Sequence, residues 1–257
     1  MERYGLIGHP LGHSFSADFF NHRFASEGRA ARYDLFPMEH LTDLHAFTEQ
    51  HPELRGLNVT IPHKQSVIAQ LDALSPQAER IGAVNVVKID RRPDGIRLTG
   101  HNTDIIGFCD SLRPLLRPHH RHALVLGTGG ASKAVIVGLH TLGIIPRCVT
   151  RQRKSATLEV GGCDFPLLEY TDLTPVLIAD TPLIVNCSPV GMTPHIDQAP
   201  RLPYEALTSR HLLYDLVYNP EETRFLALGR KHGAAVKNGL EMLHRQAIAA
   251  WDIWQED

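Results

Sequence analysis

The chain has little of what marks an exported, metal-clustered or nucleic-acid-binding protein. Only four cysteines occur in 257 residues, Cys109, Cys148, Cys163 and Cys187. They stand far apart without a CxxC pair, which argues against a disulfide scaffold or a zinc knuckle and points to reduced thiols in the cytoplasm. Neither sign of charge prevails: 26 Lys and Arg against 28 Asp and Glu leave a formal charge of −2. That balance gives no electrostatic footprint for nucleic acid or an anionic membrane. No apolar run approaches the ~20 residues of a membrane span, and the opening residues lack an apolar signal core. The expected partners are therefore small molecules, met by a monomer or homodimer.

Histidine is plentiful, with sixteen in the chain, but no metal site is expected. His9 and His13 are four apart, yet Pro10 and Gly12 between them argue against a helix that would aim both rings at one ion. His119, His120 and His122 surround Arg121 in what reads as an exposed connector, with no cysteine or carboxylate cluster beside them.

What is present is an ordinary globular composition, 43% hydrophobic and 21% charged, long enough for two modest domains. Short apolar runs alternate with amphipathic segments, which predicts an α/β layered fold. The first half predicts strands at 4–7, 31–36, 56–59, 83–89 and 96–99. Helices are expected at 16–27, 40–50, 64–71, 76–81 and 103–116. The second half predicts strands at 123–126, 144–149, 183–186 and 212–217, helices after residue 130 and at 221–232, and a loop over 189–203. The last helix, 240–254, carries Leu243, Ala247, Ala250 or Trp251, and Trp254 along one stripe that must be buried.

The most informative segment is Gly127-Thr128-Gly129-Gly130-Ala131-Ser132-Lys133, between the apolar run Ala123–Leu126 and a helical run. A glycine turn from a buried strand into a helix lets the backbone approach a pyrophosphate, whose charge sits on free N–H groups at the positive end of the helix. A tight turn that binds nothing needs glycine as well. About 20 residues further on, where such folds read the ribose, stands Thr150-Arg151-Gln152-Arg153-Lys154. Three cations and no acid suit a 2′-phosphate, hence NADP rather than NAD; a solvated basic loop is the other reading.

Three polar clusters in the first half are hard to explain as packing. In His13-Ser14-Phe15-Ser16, two hydroxyls one residue apart project to one side of an extended segment and could clamp a carboxylate; a helix N-cap at Ser16 is the alternative. Asn58-Val59-Thr60-Ile61-Pro62-His63-Lys64 delivers an amide, a hydroxyl and an ammonium where a strand runs into a helix start. Asn102-Thr103-Asp104 opens a helix, where capping would also be ordinary. Lys64 and Asp104 suggest chemistry, because oxidising an alcohol to a ketone removes a proton from oxygen as hydride leaves carbon, and a lysine beside a carboxylate can exchange that proton.

With these segments in order, the chain resembles the shikimate dehydrogenase family over nearly its whole length. Further stretches carry the likeness: Gly5-Leu6-Ile7-Gly8-His9-Pro10, Gly82-Ala83-Val84-Asn85, Gly100–Gly107, Asn186-Cys187-Ser188-Pro189-Val190-Gly191-Met192, Asp215–Pro220 with Thr223, and Gly239–Leu243 with Gln246-Ala247. The resemblance implies NADP-linked, reversible reduction of 3-dehydroshikimate to shikimate, a step of aromatic amino-acid biosynthesis. It implies an N-terminal α/β substrate domain, residues 1–101 completed by the C-terminal helix 238–257, and a Rossmann-like NADP-binding domain at 102–237, flanking a cleft. By position, Lys64 and Asp104 would be the catalytic pair. Ser14 and Ser16 would hold the substrate carboxylate, and Thr60, Asn85, Tyr218 and Gln246 would bind ring hydroxyls or the carboxylate region. Gly127, Gly129, Gly130 and Ala131 would line the pyrophosphate, Thr150, Arg151 and Lys154 the 2′-phosphate, and Gly239 and Met242 the nicotinamide.

The chain departs from the family pattern at Ala17, where proline is usual, at Phe20-Asn21 in place of His-Asn, at Thr150-Arg151-Gln152 in place of Asn-Arg-Thr, at Val86, and at Asn238, where aspartate is frequent. Three other readings stand beside it. A catabolic quinate or shikimate dehydrogenase usually carries an NAD-type pocket, a non-catalytic sensor of the same ring compounds could discard Lys64 or Asp104, and a folate or amino-acid dehydrogenase is disfavoured by the serine pair and the Thr60–Lys64 segment.

Overall fold

The alternation of apolar runs and amphipathic segments is realised as two sheets in a computed structural model that describes residues 1–12 and 14–256; His13 and Asp257 lie outside the described residues. The chain separates into one unit of Met1–Thr103 with the segment from Ala247 onward, and a second of Asp104–Gln246.

The first unit contains β1 (Glu2–Gly8), α1 (Phe15–Ser26), β2 (Ala31–Pro37), α2 (Leu44–Gln50), β3 (Leu54–Val59), β4 (Ala73–Leu74), α3 (Pro76–Ile81), β5 (Val86–Arg92) and β6 (Gly95–His101). Its sheet runs β2-β1-β3-β5-β6-β4. β1 pairs parallel with β2 and β3, and β5 is antiparallel to both β3 and β6. Pro93-Asp94 closes the β5–β6 hairpin, since Arg92 pairs with Gly95. Local signals explain α3. The Ser75 hydroxyl accepts the Ala78 N–H, Pro76 fills the first turn where no donor is needed, and Gly82 ends the helix at φ 66°.

The second unit contains α4 (Asp104–Leu112), β7 (His122–Leu126), α5 (Gly130–Thr141), β8 (Ile145–Thr150), β9 (Thr157–Val160), β10 (Cys163–Glu169), α6 (Pro175–Ala179), β11 (Leu183–Asn186), β12 (Leu212–Asp215), α7 (Arg224–Lys231) and β13 (Ala235–Lys237). Its sheet runs β13-β12-β11-β7-β8-β10-β9. All neighbours are parallel except β9, which is antiparallel to β10. Leaving out that edge strand, the order is that of the doubly wound dinucleotide fold, with the reversal of strand order between β7 and β11. Ala123–Leu126 and Leu183–Asn186 are buried throughout, as strands covered on both faces must be.

α8 (Leu240–Gln255) was expected to belong wholly to the first domain. Its opening turns, Leu240–Gln246, are grouped with the second unit, and only the part from Ala247 belongs to the first. That part fills an aromatic cluster. Trp254 lies 5.0 Å from the Tyr4 ring and 5.3 Å from Phe20, and Trp251 lies 5.5 Å from Tyr4. The Trp254 indole donates to the Val87 carbonyl at 3.1 Å. Gly56 is required beneath it, because a Cβ there would overlap the indole ring.

Other boundaries differ for local reasons. The helix expected to run to residue 116 ends at Leu112 and continues as a 3-10 turn, Arg113–Leu115, because Pro114 lacks the N–H that α-helical bonding needs. The strand after Leu212 stops at Asp215. The histidines around Arg121 do not form an exposed connector. His120 is buried, its Nδ1 accepts the Arg117 N–H at 3.0 Å, and the whole segment lies inside the second unit.

Candidate active site

In the second unit, the glycine loop sits at the carboxyl end of β7, beside the loop that leaves β11. This is the switch point at which doubly wound sheets bind ligands. Gly127 has φ 111°, and a Cβ on it would come within 3.4 Å of the Cys187 carbonyl and the Ser188 nitrogen. Gly129 is the N-cap of α5 and supplies no side-chain cap, and a Cβ on it would meet nothing within 4 Å. Uncapped N–H groups at a helix N-terminus facing open space fit a pyrophosphate. Ser132, to which sequence reasoning assigned no role, is buried and donates to the Gly129 carbonyl at 2.6 Å, which fixes the loop.

At the tip of β8 the three cations part company. Arg151 and Lys154 are exposed. Arg153 is tied down: its N–H donates to Glu169 at 2.7 Å and its guanidinium lies 3.7 Å from Asp172. Glu169, the acid nearest Thr150 by register, thus spends its carboxylate on the protein backbone. The tip therefore presents Thr150, Arg151 and Lys154.

Gly239 needs its lack of a side chain, because a Cβ would overlap the Leu216 carbonyl, while its N–H donates to the Val217 carbonyl at 3.2 Å. Asn238, where the family often has aspartate, still caps α8: its Oδ1 accepts the Leu240 N–H at 3.3 Å. Gly107 brings α4 backbone-close to α8, with a Cβ there overlapping the Met242 carbonyl and lying 3.1 Å from the Gln246 nitrogen. Asp104, buried at the start of α4, thus shares a helix pair with Met242 and Gln246. Gln246 is itself buried and donates to the Leu243 carbonyl at 3.0 Å. Tyr218 is half-buried, and burial pushes its phenol up.

A buried network missed in the sequence braces these loops. Asp215 accepts from Thr223 at 2.6 Å, from the Val217 N–H at 3.0 Å and from Asn186 at 2.9 Å. Asn186 in turn accepts from the Ser188 hydroxyl at 2.6 Å and its N–H at 3.1 Å. Burial raises the Asp215 carboxyl from 3.8 to about 6 against those three donors.

In the first unit, α1 begins at Phe15, so Ser14 and Ser16 do not share an extended segment. Ser14 is the N-cap by position without a side-chain cap bond, and Ser16 lies in the first turn. Both are half-buried, and His13, the first member of that cluster, lies outside the described residues. The Tyr33 phenol donates to Asn58 Oδ1 at 2.7 Å. Asn58 Nδ2 donates to the Asn85 carbonyl at 3.3 Å. Asn85 also clamps the third polar cluster: its amide donates to Thr103 Oγ1 at 2.9 Å and its Oδ1 accepts the Thr103 N–H at 2.7 Å. Asn102 reaches the Ala83 carbonyl at 2.9 Å.

The turn leading to Lys64 is anchored by its neighbour. His63 is buried, and its Nε2 donates to the Met38 carbonyl at 2.6 Å, so Nε2 carries the proton. The Thr60 carbonyl accepts the His63 N–H at 2.9 Å, and the Lys64 carbonyl accepts the Val84 N–H at 2.7 Å. Lys64 is left half-buried. Sequence pattern pointed to Lys64 and Thr60; His63 and Tyr33 carried no signal, since their partners are distant in the chain. Among the described residues, no group of three or more His, Cys, Asp or Glu is placed to hold a metal, and no helix is long and apolar enough to cross a membrane.

A doubly wound unit with a glycine cradle and a basic ribose tip, in a chain that also carries a mixed-sheet unit with several buried polar side chains, defines a two-domain α/β oxidoreductase of the dinucleotide-binding class. Comparison with known proteins narrows the class. Residues 6–87 match the model of the shikimate dehydrogenase substrate binding domain. The chain is 38% identical over 262 residues to shikimate dehydrogenase (NADP(+)) of Symbiobacterium thermophilum, covering 97% of this chain and 87% of the relative. Among solved structures it is similar to shikimate dehydrogenase 1 of Peptoclostridium difficile, with TM-score 0.86 and 32% identity over 99% of this chain and 92% of the other. It is also similar to the Thermus thermophilus shikimate 5-dehydrogenase solved with NADP(H) and shikimate, with TM-score 0.84 and 34% identity over 99% and 94%. The chain belongs to the shikimate dehydrogenase family.

Proposed function

We propose that this protein catalyses the NADP-dependent, reversible reduction of 3-dehydroshikimate to shikimate, with the first unit binding substrate and the second NADP. Support comes foremost from the glycine cradle at the switch point with Arg151 and Lys154 exposed beyond it, in a chain of which 97% or more is matched by relatives named shikimate dehydrogenase. We assign its place to the cytoplasm, in keeping with four free cysteines.

Gly127, Gly129, Gly130 and Ala131 would hold the pyrophosphate on α5, and Thr150, Arg151 and Lys154 the 2′-phosphate. Gly239 and Met242 would flank the nicotinamide. When bound, the cofactor supplies the hydride. Lys64 gives a proton to the ring oxygen as ketone becomes alcohol and takes it back in the reverse direction. Asp104 is the second member of the proposed catalytic pair. Ser14 and Ser16 donate hydrogen bonds to the substrate carboxylate, and Thr60, Asn85, Tyr218 and Gln246 orient the ring.

Initial rates with shikimate and with quinate, each against NADP and NAD, test the reading. Rapid oxidation of shikimate with NADP is expected. A preference for quinate with NAD would replace the biosynthetic assignment by a catabolic one. Binding of shikimate without turnover would make the protein a sensor.

A further inference from the structure

The basic tip after β8 carries Arg151, Arg153 and Lys154, and the functional reading uses only the first and last. Arg153 is left over, and its surroundings are acidic. Its N–H donates to Glu169 Oε1 at 2.7 Å, its guanidinium lies 3.7 Å from Asp172 Oδ2, and the same guanidinium donates to the Leu167 carbonyl at 3.4 Å. The two acids are themselves locked together, because Asp172 Oδ2 accepts the Glu169 N–H at 2.8 Å. Glu169 ends β10, and parallel register places it beside Thr150 at the end of β8.

Neighbouring strands lie about 4.8 Å apart, inside the screening length of about 8 Å at physiological salt. A carboxylate on Glu169 is therefore felt by whatever binds at Thr150. Its two effects on a dinucleotide both favour NAD: it repels a 2′-phosphate, and it can accept a hydrogen bond from a 2′-hydroxyl, the part that acids play at strand tips in NAD-selective folds. Glu169 and Asp172 would by themselves offset the charges of Arg151 and Lys154. With Arg153 among them, the tip keeps a net positive charge. We propose that Arg153 is a specificity-determining residue that acts without contacting the phosphate: by masking Glu169 and Asp172 it keeps the tip of β8 selective for the 2′-phosphate of NADP against the 2′-hydroxyl of NAD. This rests on the assignment of the 2′-phosphate to Thr150, Arg151 and Lys154 made above.

The test is a charge-removal cycle on the full-length enzyme, read as the ratio of kcat/KM with NADP to kcat/KM with NAD at saturating shikimate. Arg153→Gln keeps the backbone N–H to Glu169 and removes the side-chain charge. The ratio is expected to fall about tenfold, the scale of a unit charge near a phosphate at a protein surface, with kcat/KM for NAD rising. KM for shikimate should stay within about twofold of wild type. Glu169→Gln with Asp172→Asn keeps an acceptor oxygen for each N–H and removes both negative charges; in that background Arg153→Gln should change the ratio by less than about twofold. Arg153→Lys, which retains the charge, should hold the ratio within about threefold of wild type. An Arg153→Gln effect of full size without the two acids would make the guanidinium a direct phosphate ligand and overturn the proposal. An unchanged ratio in Arg153→Gln, or equal losses with NADP and NAD, would overturn it as well. Wild-type protein that leaves shikimate untouched with either cofactor sinks the activity and this role together. An NADP-selective wild type with an indifferent Arg153→Gln sinks only the latter.

Discussion

Asp215 offers a quantitative test of how the second unit is braced. Its carboxyl is buried at the end of β12, and desolvation lifts it from 3.8 to about 6 although Thr223, Val217 and Asn186 all donate to it. The folded value lies above the unfolded one, so the folded chain holds the proton between them. The stabilising contribution is fully present below about pH 4 and is lost as the pH rises through about 6. At about 1.4 kcal/mol per tenfold change in acidity, the interval from 3.8 to about 6 corresponds to about 3 kcal/mol. Asp215→Asn makes the neutral form permanent: Oδ1 keeps the donors from Asn186 and Val217, and the Thr223 hydroxyl turns to accept from the new amide. The variant should match wild type near pH ~4 and exceed it by about 3 kcal/mol near pH ~7.5, with roughly half of the gain reached by pH ~5. Urea unfolding followed by circular dichroism across that range measures the difference. The half-buried His101 and the buried His120, whose values burial lowers, contribute less stability as the pH falls, and they cancel when variant and wild type are subtracted. A difference that stays flat with pH, or a variant weaker than wild type at neutral pH, would show that the three donors outweigh desolvation.

Three further outcomes follow from the site and the core. Lys64→Ala should lower kcat by about 10²- to 10⁴-fold, as loss of a proton-transfer group does, with KM changed only modestly; near-normal turnover would contradict its role. Arg151→Asp should shift the kcat/KM ratio by about tenfold or more toward NAD, since Arg153 is already held by Glu169 and Asp172. Unchanged selectivity would place the 2′-phosphate elsewhere. Trp254→Ala should cost about 3–5 kcal/mol in unfolding free energy, because it removes the filling above Gly56 and the bond to Val87, and a loss under about 1 kcal/mol would mean the cluster closes without it.

Contiguous signals were legible in the sequence. The run Ala123–Leu126, the glycines after it and the basic tip after Val149 each announce themselves within a few residues, and their structures follow. The hairpin of β9 and β10 was overlooked although Gly161-Gly162 joins two short strands with positive φ at both glycines; the strands lie at the sheet edge and are too polar for an apolar-run reading. β4, only Ala73-Leu74, is too short to show a period. The start of α1 came one residue early, and that one residue turned Ser14 and Ser16 from a matched pair into a cap and a first-turn residue. Tyr33, His63 and the Asp215 brace were illegible for a different reason. Each depends on partners supplied by other segments of the fold, Asn58 for Tyr33, Met38 for His63, Asn186 and Thr223 for Asp215, and no local pattern encodes such encounters.

The tryptophan-bearing end of α8 has a bearing on biosynthesis of the chain itself. β1 needs Trp251 and Trp254 against Tyr4 to complete the aromatic cluster, yet those residues are synthesised long after Tyr4. The middle segment, continuous from Asp104 to Gln246, has all its strands in hand while the opening hundred residues still lack their closing helix. Vectorial synthesis at roughly 5–20 residues per second therefore leaves the Tyr4 side of the cluster waiting on its tryptophans. In the interval its Tyr4, Phe20 and Phe24 surface is open to chaperones.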